Sequence, residues 1–392
     1  MSAPLRIAVV GKGLIGSAAA RHLAEAGAEV LLVGPDEPAV AQGHDGVFAS
    51  HYDAARITRR LDRDPLWAQL ACRSIDRHAE LQTASGVHFH HRHRMCFAAG
   101  AGSTLLDAVR DTARTLDLPL PAPVDGHAEL QLTAGTALAA EAGDAGWIAP
   151  RALVKAQTLV ALAAGARVVR QPVWALRGQG DGVRLILDDG SDLLADRVLV
   201  CAGAFAAPTG LVAGVPLMSE GRTVLLARVE ADLLARLADL PCLVMDRSGL
   251  EPSDLYLMPP ILYPDGHHYV KLGTSAWHRP LDELDALREW FQLPPPRADV
   301  EHLTEALHRL LPVLADATLR FDTCAVTATP SGRPYVAWLD GLPGIARGRV
   351  AIAGGGNGKA AKSADELGRL GARLVAGADG ADEPLLDALG IA

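Results

Sequence analysis

The residues whose types and order most directly suggest chemistry are Gly11-Lys12-Gly13-Leu14-Ile15-Gly16. A G-x-G-x-x-G turn set between a strand and a helix is a phosphate cradle. Gly11 allows the tight turn, Gly13 lets a pyrophosphate approach the backbone, and Gly16 lets the helix pack closely on the strand. The first helical N–H groups, at Leu14 and Ile15, then face the phosphate with the helix dipole in support. The flanks make the motif specific. Ile7 to Val10 is a short apolar run, a helix-period segment follows the glycines, and Val30 to Val33 is a second apolar run after Gly27. The spacing predicts strand, glycine turn, helix and parallel strand, hence a dinucleotide ligand. FAD and NAD both remain open at this point.

A second group with chemical potential is His88, His90, His91 and His93. Strand alternation puts His88 and His90 on one face and His91 and His93 on the other. No cysteine or carboxylate is interleaved, so a polar strand is predicted and no metal site. Cys72, Cys96, Cys201, Cys242 and Cys324 are scattered, odd in number and without C-x-x-C spacing. They read as reduced thiols and not as a disulfide frame or a zinc site.

The elements that must position these residues belong to a chain of 392 residues, more than one ordinary core, so two lobes are expected. With 49% hydrophobic and 21% charged residues, the composition is that of a soluble globular enzyme. A net charge of −9 with no basic block speaks against a nucleic-acid partner. No apolar run approaches the ~20 residues of a membrane span. The first strand begins so early that a signal peptide has no room, and a cytoplasmic location is expected. Along the chain, Asp64-Pro65 starts a helix, Asp as N-cap and Pro in the first turn. Residues 87–98 read as a strand, Ser103 caps a helix, and another helix spans about 150–164. Arg167-Val168-Val169, the alternating Val183, Leu185 and Leu187, and Arg197 to Val200 read as strands. The last strand runs into Cys201-Ala202-Gly203-Ala204, small residues that let backbone press against a flat or phosphorylated ligand. Residues 221–279 are strand-rich. Helices fill 281–311 around Pro294–Pro296. A strand at 350–353, the loop Gly354-Gly355-Gly356-Asn357-Gly358 and a helix to about 376 close the chain.

Four segments, in order, make the chain resemble the D-amino-acid-oxidase superfamily of flavoproteins, and within it the monomeric sarcosine oxidase group. They are the glycine fingerprint, Ala195-Asp196-Arg197-Val198-Leu199-Val200-Cys201-Ala202-Gly203-Ala204, Val270-Lys271-Leu272-Gly273, and Cys324-Ala325-Val326-Thr327-Ala328-Thr329-Pro330. The resemblance spans nearly the whole chain and favours FAD over NAD. It implies an α/β, two-lobed fold: a Rossmann-like FAD-binding domain (1–60, 145–220 and 320–392) with an interleaved strand-rich substrate domain (61–144 and 221–319).

The resemblance also implies residue roles. Cys324 would form a thioether with the flavin 8α-methyl; otherwise it is a small buried core residue. Lys271 would lie over the flavin, where a fixed cation favours the first electron transfer to oxygen because superoxide is an anion. Arg59 would hold a substrate carboxylate with its planar fork, and Arg56 would lie near the flavin. Ser50-His51 precedes them, and the neighbouring Arg60 leaves the register open. Gly355, Gly356, Asn357 and Gly358 would present N–H groups to the flavin pyrimidine edge. A lysine beside this loop binds substrate in the group, and both Lys359 and Lys362 compete for that place. Val169, Ala202 and Gly203 are further cofactor contacts, and Tyr256 is a substrate contact.

Two departures stand out. The acid that commonly binds the adenosine ribose is Gly34 here, leaving Asp36 or Glu37 to reach it. The histidine common four residues after the lysine is Ser275, which puts sarcosine itself in doubt. The implied activity is oxidation of a secondary amine or amino acid. A hydride equivalent passes from the α-carbon to flavin N5, leaving an imine, and O2 takes the electrons to give H2O2. The implied partners are a small amine or amino acid and O2, and a monomer is the group's habit. A dehydrogenase with another electron acceptor, a flavin monooxygenase and a non-catalytic flavin-binding subunit are the alternatives.

Overall fold

The computed structural model describes residues 4–38, 53–247 and 250–391. The first apolar run forms the strand Arg6–Val10, in the interior of a six-stranded sheet. The spatial order is Tyr335–Trp338, Val350–Gly354, Arg197–Val200, Arg6–Val10, Glu29–Val33 and Arg167–Val169. All are parallel except the edge strand Tyr335–Trp338. Ile7 and Val9 face a core shared with the helices Leu14–Glu25, Pro65–Asp76 and Ala360–Ala376. Ala8 and Val10 face the opposite way, onto a three-stranded antiparallel sheet of Val173–Gln179, Gly182–Leu187 and Asp192–Ala195. Burial on both faces is why these strands read as continuous apolar runs. The α/β class expected from the sequence holds.

The second layer system is an eight-stranded sheet. Its order is Leu319–Ala328, Met218–Val229, His268–Gly273, Asp254–Leu262, Cys242–Asp246, Met95–Ala99, Ala137–Glu141 and Ala122–Pro123. One face packs Val270, Leu272, Leu225 and Leu257 against Leu303 and Leu307 of the helix Arg297–Leu310. The other packs Met95, Phe97 and Met258 against Leu106 and Val109 of the helix Leu105–Thr115. Lys271 stands between Val270 and Leu272, so strand alternation turns it away from the first face.

Local signals act as their chemistry predicts. The Asp64 side chain accepts the Leu66 N–H at 2.9 Å and starts the helix Pro65–Asp76. Trp67 and Leu70 of this helix, in the stretch assigned by sequence to the substrate domain, pack in the core beneath the six-stranded sheet. Ser103 accepts the Leu105 N–H at 3.1 Å. The histidine run is divided: His90–Arg92 joins a small sheet with Arg56–Thr58 and Gly146–Ile148, whereas Met95–Ala99 joins the large one. The break changes the pairing, so the His88 ring meets His91 and the His90 ring meets His78. Among the described residues there is no group of three or more metal-ligating side chains. No described helix is long and apolar enough to cross a membrane.

Candidate active site

The glycine turn opens one wall of a cavity of about 390 Å³ that runs along the C-terminal ends of the parallel strands. Gly11 has φ +106°, and a Cβ there would stand 2.4 Å from the Cys201 carbonyl oxygen; one on Gly16 would stand 1.7 Å from the Gly11 carbonyl oxygen. The turn therefore closes only with glycine at both positions. Gly13 is the N-cap of the helix Leu14–Glu25, with no side-chain cap, and its first turn lines the cavity. Ala202, Gly203 and Ala204 form the facing wall. An uncapped helix end over a bare backbone floor fits a dinucleotide pyrophosphate.

Past the end of the strand Glu29–Val33, Asp36 and Glu37 both line the cavity. Asp36 pairs with Lys12 and, at 3.1 Å, with Arg170. The Lys12 hydrogen bond and the two cations hold its carboxyl below the usual range. Glu37 accepts from Arg151 at 2.9 Å. Val169 itself turns to the antiparallel-sheet core, and its carbonyl accepts the Gly34 N–H at 3.0 Å. The cavity is lined by its neighbours Val168 and Arg170. Alternation sends the Val169 side chain to the opposite face, so only its backbone faces the strand Glu29–Val33 and the turn at Gly34.

A second cavity of about 270 Å³ opens between the eight-stranded sheet and the start of the helix Ala360–Ala376, and Arg56, Val326 and Gly358 line both cavities. The expected site residues Arg59, Tyr256, Lys271, Cys324, Asn357, Lys359 and Lys362 all line this second cavity. Lys271 is 4% exposed. Its ammonium donates to the Ala55 carbonyl at 3.1 Å, pairs with Asp53 and lies 5.5 Å from the centre of the Tyr256 ring. Asp53 also accepts from the Tyr263 hydroxyl at 3.0 Å and lies 3.8 Å from Arg56. Burial alone would raise its pKa, but Lys271 and Arg56 outweigh that and hold it ionised. The Cys324 thiol is pushed up by burial, while Arg56 and Lys271 pull it back. Cys324 sits opposite Arg222 across the strand pair, and its carbonyl accepts from the Trp290 indole at 2.8 Å.

The three candidate carboxylate ligands meet in one place. Arg59 reaches Asp62 at 3.1 Å, Lys359 at 2.8 Å and Lys362 at 2.7 Å. The competition between Lys359 and Lys362 thus has no single winner, since both line the cavity. Their i, i+3 spacing at the start of the helix Ala360–Ala376 puts both on one face. Arg60 points elsewhere, to Asp76 at 2.7 Å and Asp144 at 3.1 Å, so of the two arginines it is Arg59 that lines the second cavity. Burial, with Arg59 and Lys359 nearby, lowers the pKa of Lys362 to about 7.

The closing loop differs from expectation in its donors. The Gly356 N–H goes to the Thr327 hydroxyl at 3.0 Å, Asn357 N–H to the Thr327 carbonyl at 2.7 Å, and Lys359 N–H to the Gly356 carbonyl at 2.7 Å. Gly355 lines neither cavity. The N–H of Gly358, on the wall of both cavities, has no partner among the described residues. Ser275 is held by Asp254, its N–H at 2.8 Å, on the rim of the second cavity. Ser50-His51 lies outside the described residues. Sequence reasoning missed Asp53, Asp62, Arg222, Asp254 and Asp322. Asp53, Asp62 and Asp254 gain meaning from partners far along the chain, whereas Arg222 and Asp322 pair with Glu220 and Arg320 two residues away.

The DAO family, described as FAD dependent oxidoreductase, matches residues 6–374. A search of curated proteins finds no match. Solved structures with the same fold include NikD, an unusual amino acid oxidase essential for nikkomycin biosynthesis, at 18% identity and TM-score 0.75 over 97% of each chain. Glycine oxidase from Geobacillus kaustophilus is similar at 18% identity and TM-score 0.73 over 99% of each chain. Iminodiacetate oxidase from Chelativorans sp. BNC1 is similar at 20% identity and TM-score 0.73, over 98% of this chain and 99% of that one. The family match runs from the first strand to the last helix and includes the glycine cleft between them, so the chain belongs to the DAO family of FAD dependent oxidoreductases.

Proposed function

We propose that the protein oxidises a secondary amine or amino acid, with O2 as electron acceptor. The observation that carries this reading is the second cavity. It joins the cofactor cleft at Arg56, Val326 and Gly358 and combines the buried Lys271 with a basic wall of Arg59, Lys359 and Lys362. The fold neighbours act on amino acids and related amines by name, which supports the same class. Bound FAD supplies the two-electron chemistry. The chain's residues do the rest. Arg59, Lys359 and Lys362 hold the substrate carboxylate, Tyr256 and Met258 bound the cavity beside the amine, and Lys271 stabilises negative charge developing on oxygen. Gly11, Gly13, Leu14, Ile15 and Gly16 hold the pyrophosphate, Asp36 the adenosine end, and Ala202 and Gly203 the facing side. Residues 1–60, 145–220 and 320–392 form the cofactor lobe in this reading, and 61–144 and 221–319 the substrate lobe. The protein acts as a cytoplasmic monomer.

Cys324 is the proposed attachment point of the flavin. Thioether formation removes one hydrogen from the thiol and one from the 8α-methyl, and the electron pair released ends on oxygen. Acid precipitation tests it: flavin colour stays with the chain, and C324S frees it. Lys271→Met slows reoxidation by O2 by at least tenfold more than it slows reduction by substrate, measured by stopped flow. Equal losses in both half-reactions exclude the oxygen role.

One observation favours a second reading. The Asp53 carboxylate offsets the charge of Lys271. A neutralised lysine suits a dehydrogenase that passes electrons to a carrier. Peroxide formed per substrate consumed separates the two readings, near one for an oxidase and near zero for a dehydrogenase.

A further inference from the structure

Asp62 is 2% exposed and stands behind the cavity wall, whereas the three cations bonded to it line the cavity. We propose that Asp62 is the positioning residue for the substrate's acidic group, gathering Arg59, Lys359 and Lys362 into one anion-binding wall. The inference rests on the reading of that wall as the carboxylate end of an amino-acid site.

The geometry argues for an organiser and against a competitor. Arg59 comes from the segment after the strand Arg56–Thr58, and both lysines come from the start of the last helix. Three like charges this close repel one another, and a shared buried carboxylate is what holds them at 2.7 to 3.1 Å. Without it, Lys362, at 1% exposure, loses the carboxylate that counters the effect of its burial. Lys359, partly exposed above the Trp67 ring, keeps only that ring contact and loses its ion pair. A further carboxylate, Glu141, bonds to backbone and to none of the three cations: it accepts the N–H of Arg60 at 2.6 Å and of Leu61 at 3.1 Å, and its charge still acts on Arg59 and Lys362. With Lys362 protonated, three cations against Asp62 and Glu141 leave an excess of positive charge facing the cavity. The Arg59 Nε, buried and without a partner among the described residues, is a donor still unspent. A single incoming carboxylate offsets that excess and offers an acceptor to the unspent donor. Asp62 accepts one lysine on each oxygen, which fixes the separation of the two ammonium groups.

The test uses the FAD-loaded enzyme and two measurements. The first is kcat/KM for N-methyl amino acids, N-methylglycine first, against their primary carboxamides. The second is the dissociation constant of propionate, a carboxylate with no amine to oxidise, read from the flavin spectrum. The native enzyme prefers acid over carboxamide by at least tenfold. Asp62→Asn removes most of that preference, with the loss on KM of the acid and not on kcat, and weakens propionate by at least tenfold. Asp62→Glu restores part of both. Unchanged or tighter propionate binding in Asp62→Asn overturns the proposal, because Asp62 is then a bystander or a competitor. A native enzyme that does not distinguish acid from carboxamide removes the carboxylate reading itself. If Asp62→Asn does not fold, Lys362→Met and the double variant Lys362→Met/Asp62→Asn carry the same comparison. The double variant must bind propionate at least tenfold more weakly than the single one.

Discussion

Two successive turns of the last helix, Ala360–Ala376, each meet a buried ionic cluster, and the two clusters are built differently. At the first turn, Lys359 and Lys362 share the single carboxylate of Asp62 with Arg59. At the next, Asp365 and Glu366 face Arg21, Arg73, Arg77 and Arg369, with Glu25 and Glu383 at the margins. There four arginines meet four carboxylates, the His22 ring lies 3.2 Å from Asp365, and Gln157 adds a hydrogen bond to Asp365 at 2.9 Å. The second cluster lines neither of the two cavities that form the site, and the first faces one of them. Balanced charge fastens the helix to its neighbours; unbalanced charge leaves binding capacity. The comparison shows how one helix can be anchored along its length and still present a reactive end.

The largest expected effect breaks the balanced cluster. Asp365→Ala leaves the buried Arg21 and the half-buried Arg77 beside one fewer carboxylate and costs about 3–5 kcal/mol of stability, read as a lower urea midpoint. A loss under 1 kcal/mol would place the anchoring elsewhere.

A smaller effect sharpens the contrast at the first turn. Burial lowers the Lys362 pKa to about 7, against an ordinary lysine value of 10.5. Between those two pH values the unfolded chain binds more protons than the folded one, so stability rises with pH across that window. The slope from this one group is at most about 1.4 kcal/mol per pH unit. Lys362→Met abolishes it, as urea midpoints between pH 7 and 10 will report. The cluster around Asp365 and Glu366 contains no such lysine and contributes no comparable slope there.

The smallest effect is a control. Arg184 and Asp192 form a half-exposed pair at 2.8 Å on the antiparallel sheet. Arg184→Ala changes stability by less than about 1 kcal/mol. A larger loss would mean that counting charges without burial is as good a guide as the comparison drawn here.

The parts of the molecule legible in the sequence are those whose signal is local. The turn at Gly11–Gly16 announces itself within six residues, and Asp64-Pro65 specifies a helix start by adjacent side chains. Lys271 is visible as a charge inside an apolar strand. Asp62 is not visible, because two of its partners lie about 300 residues away and nothing near position 62 distinguishes it from a solvated aspartate. Asp53 is hidden for the same reason, being 218 residues from Lys271. The one available hint was the i, i+3 pairing of Lys359 and Lys362, which is wasteful unless something anionic lies between them. The histidine run misled in a different way. Its period is that of a strand, but the chain leaves one sheet and joins another within it, so neighbours in sequence acquire different partners.

The placement of Lys271 between Val270 and Leu272 has a consequence for assembly. If the strand shifted by one position against its neighbours, the ammonium would enter the aliphatic layer under Leu303 and Leu307, and both hydrocarbon side chains would enter the polar cavity. An uncompensated cation in that layer is costly enough to reject the misaligned sheet. The charge proposed for oxygen chemistry therefore also proofreads the folding of the domain that carries it, and an apolar replacement at 271 loses both services at once.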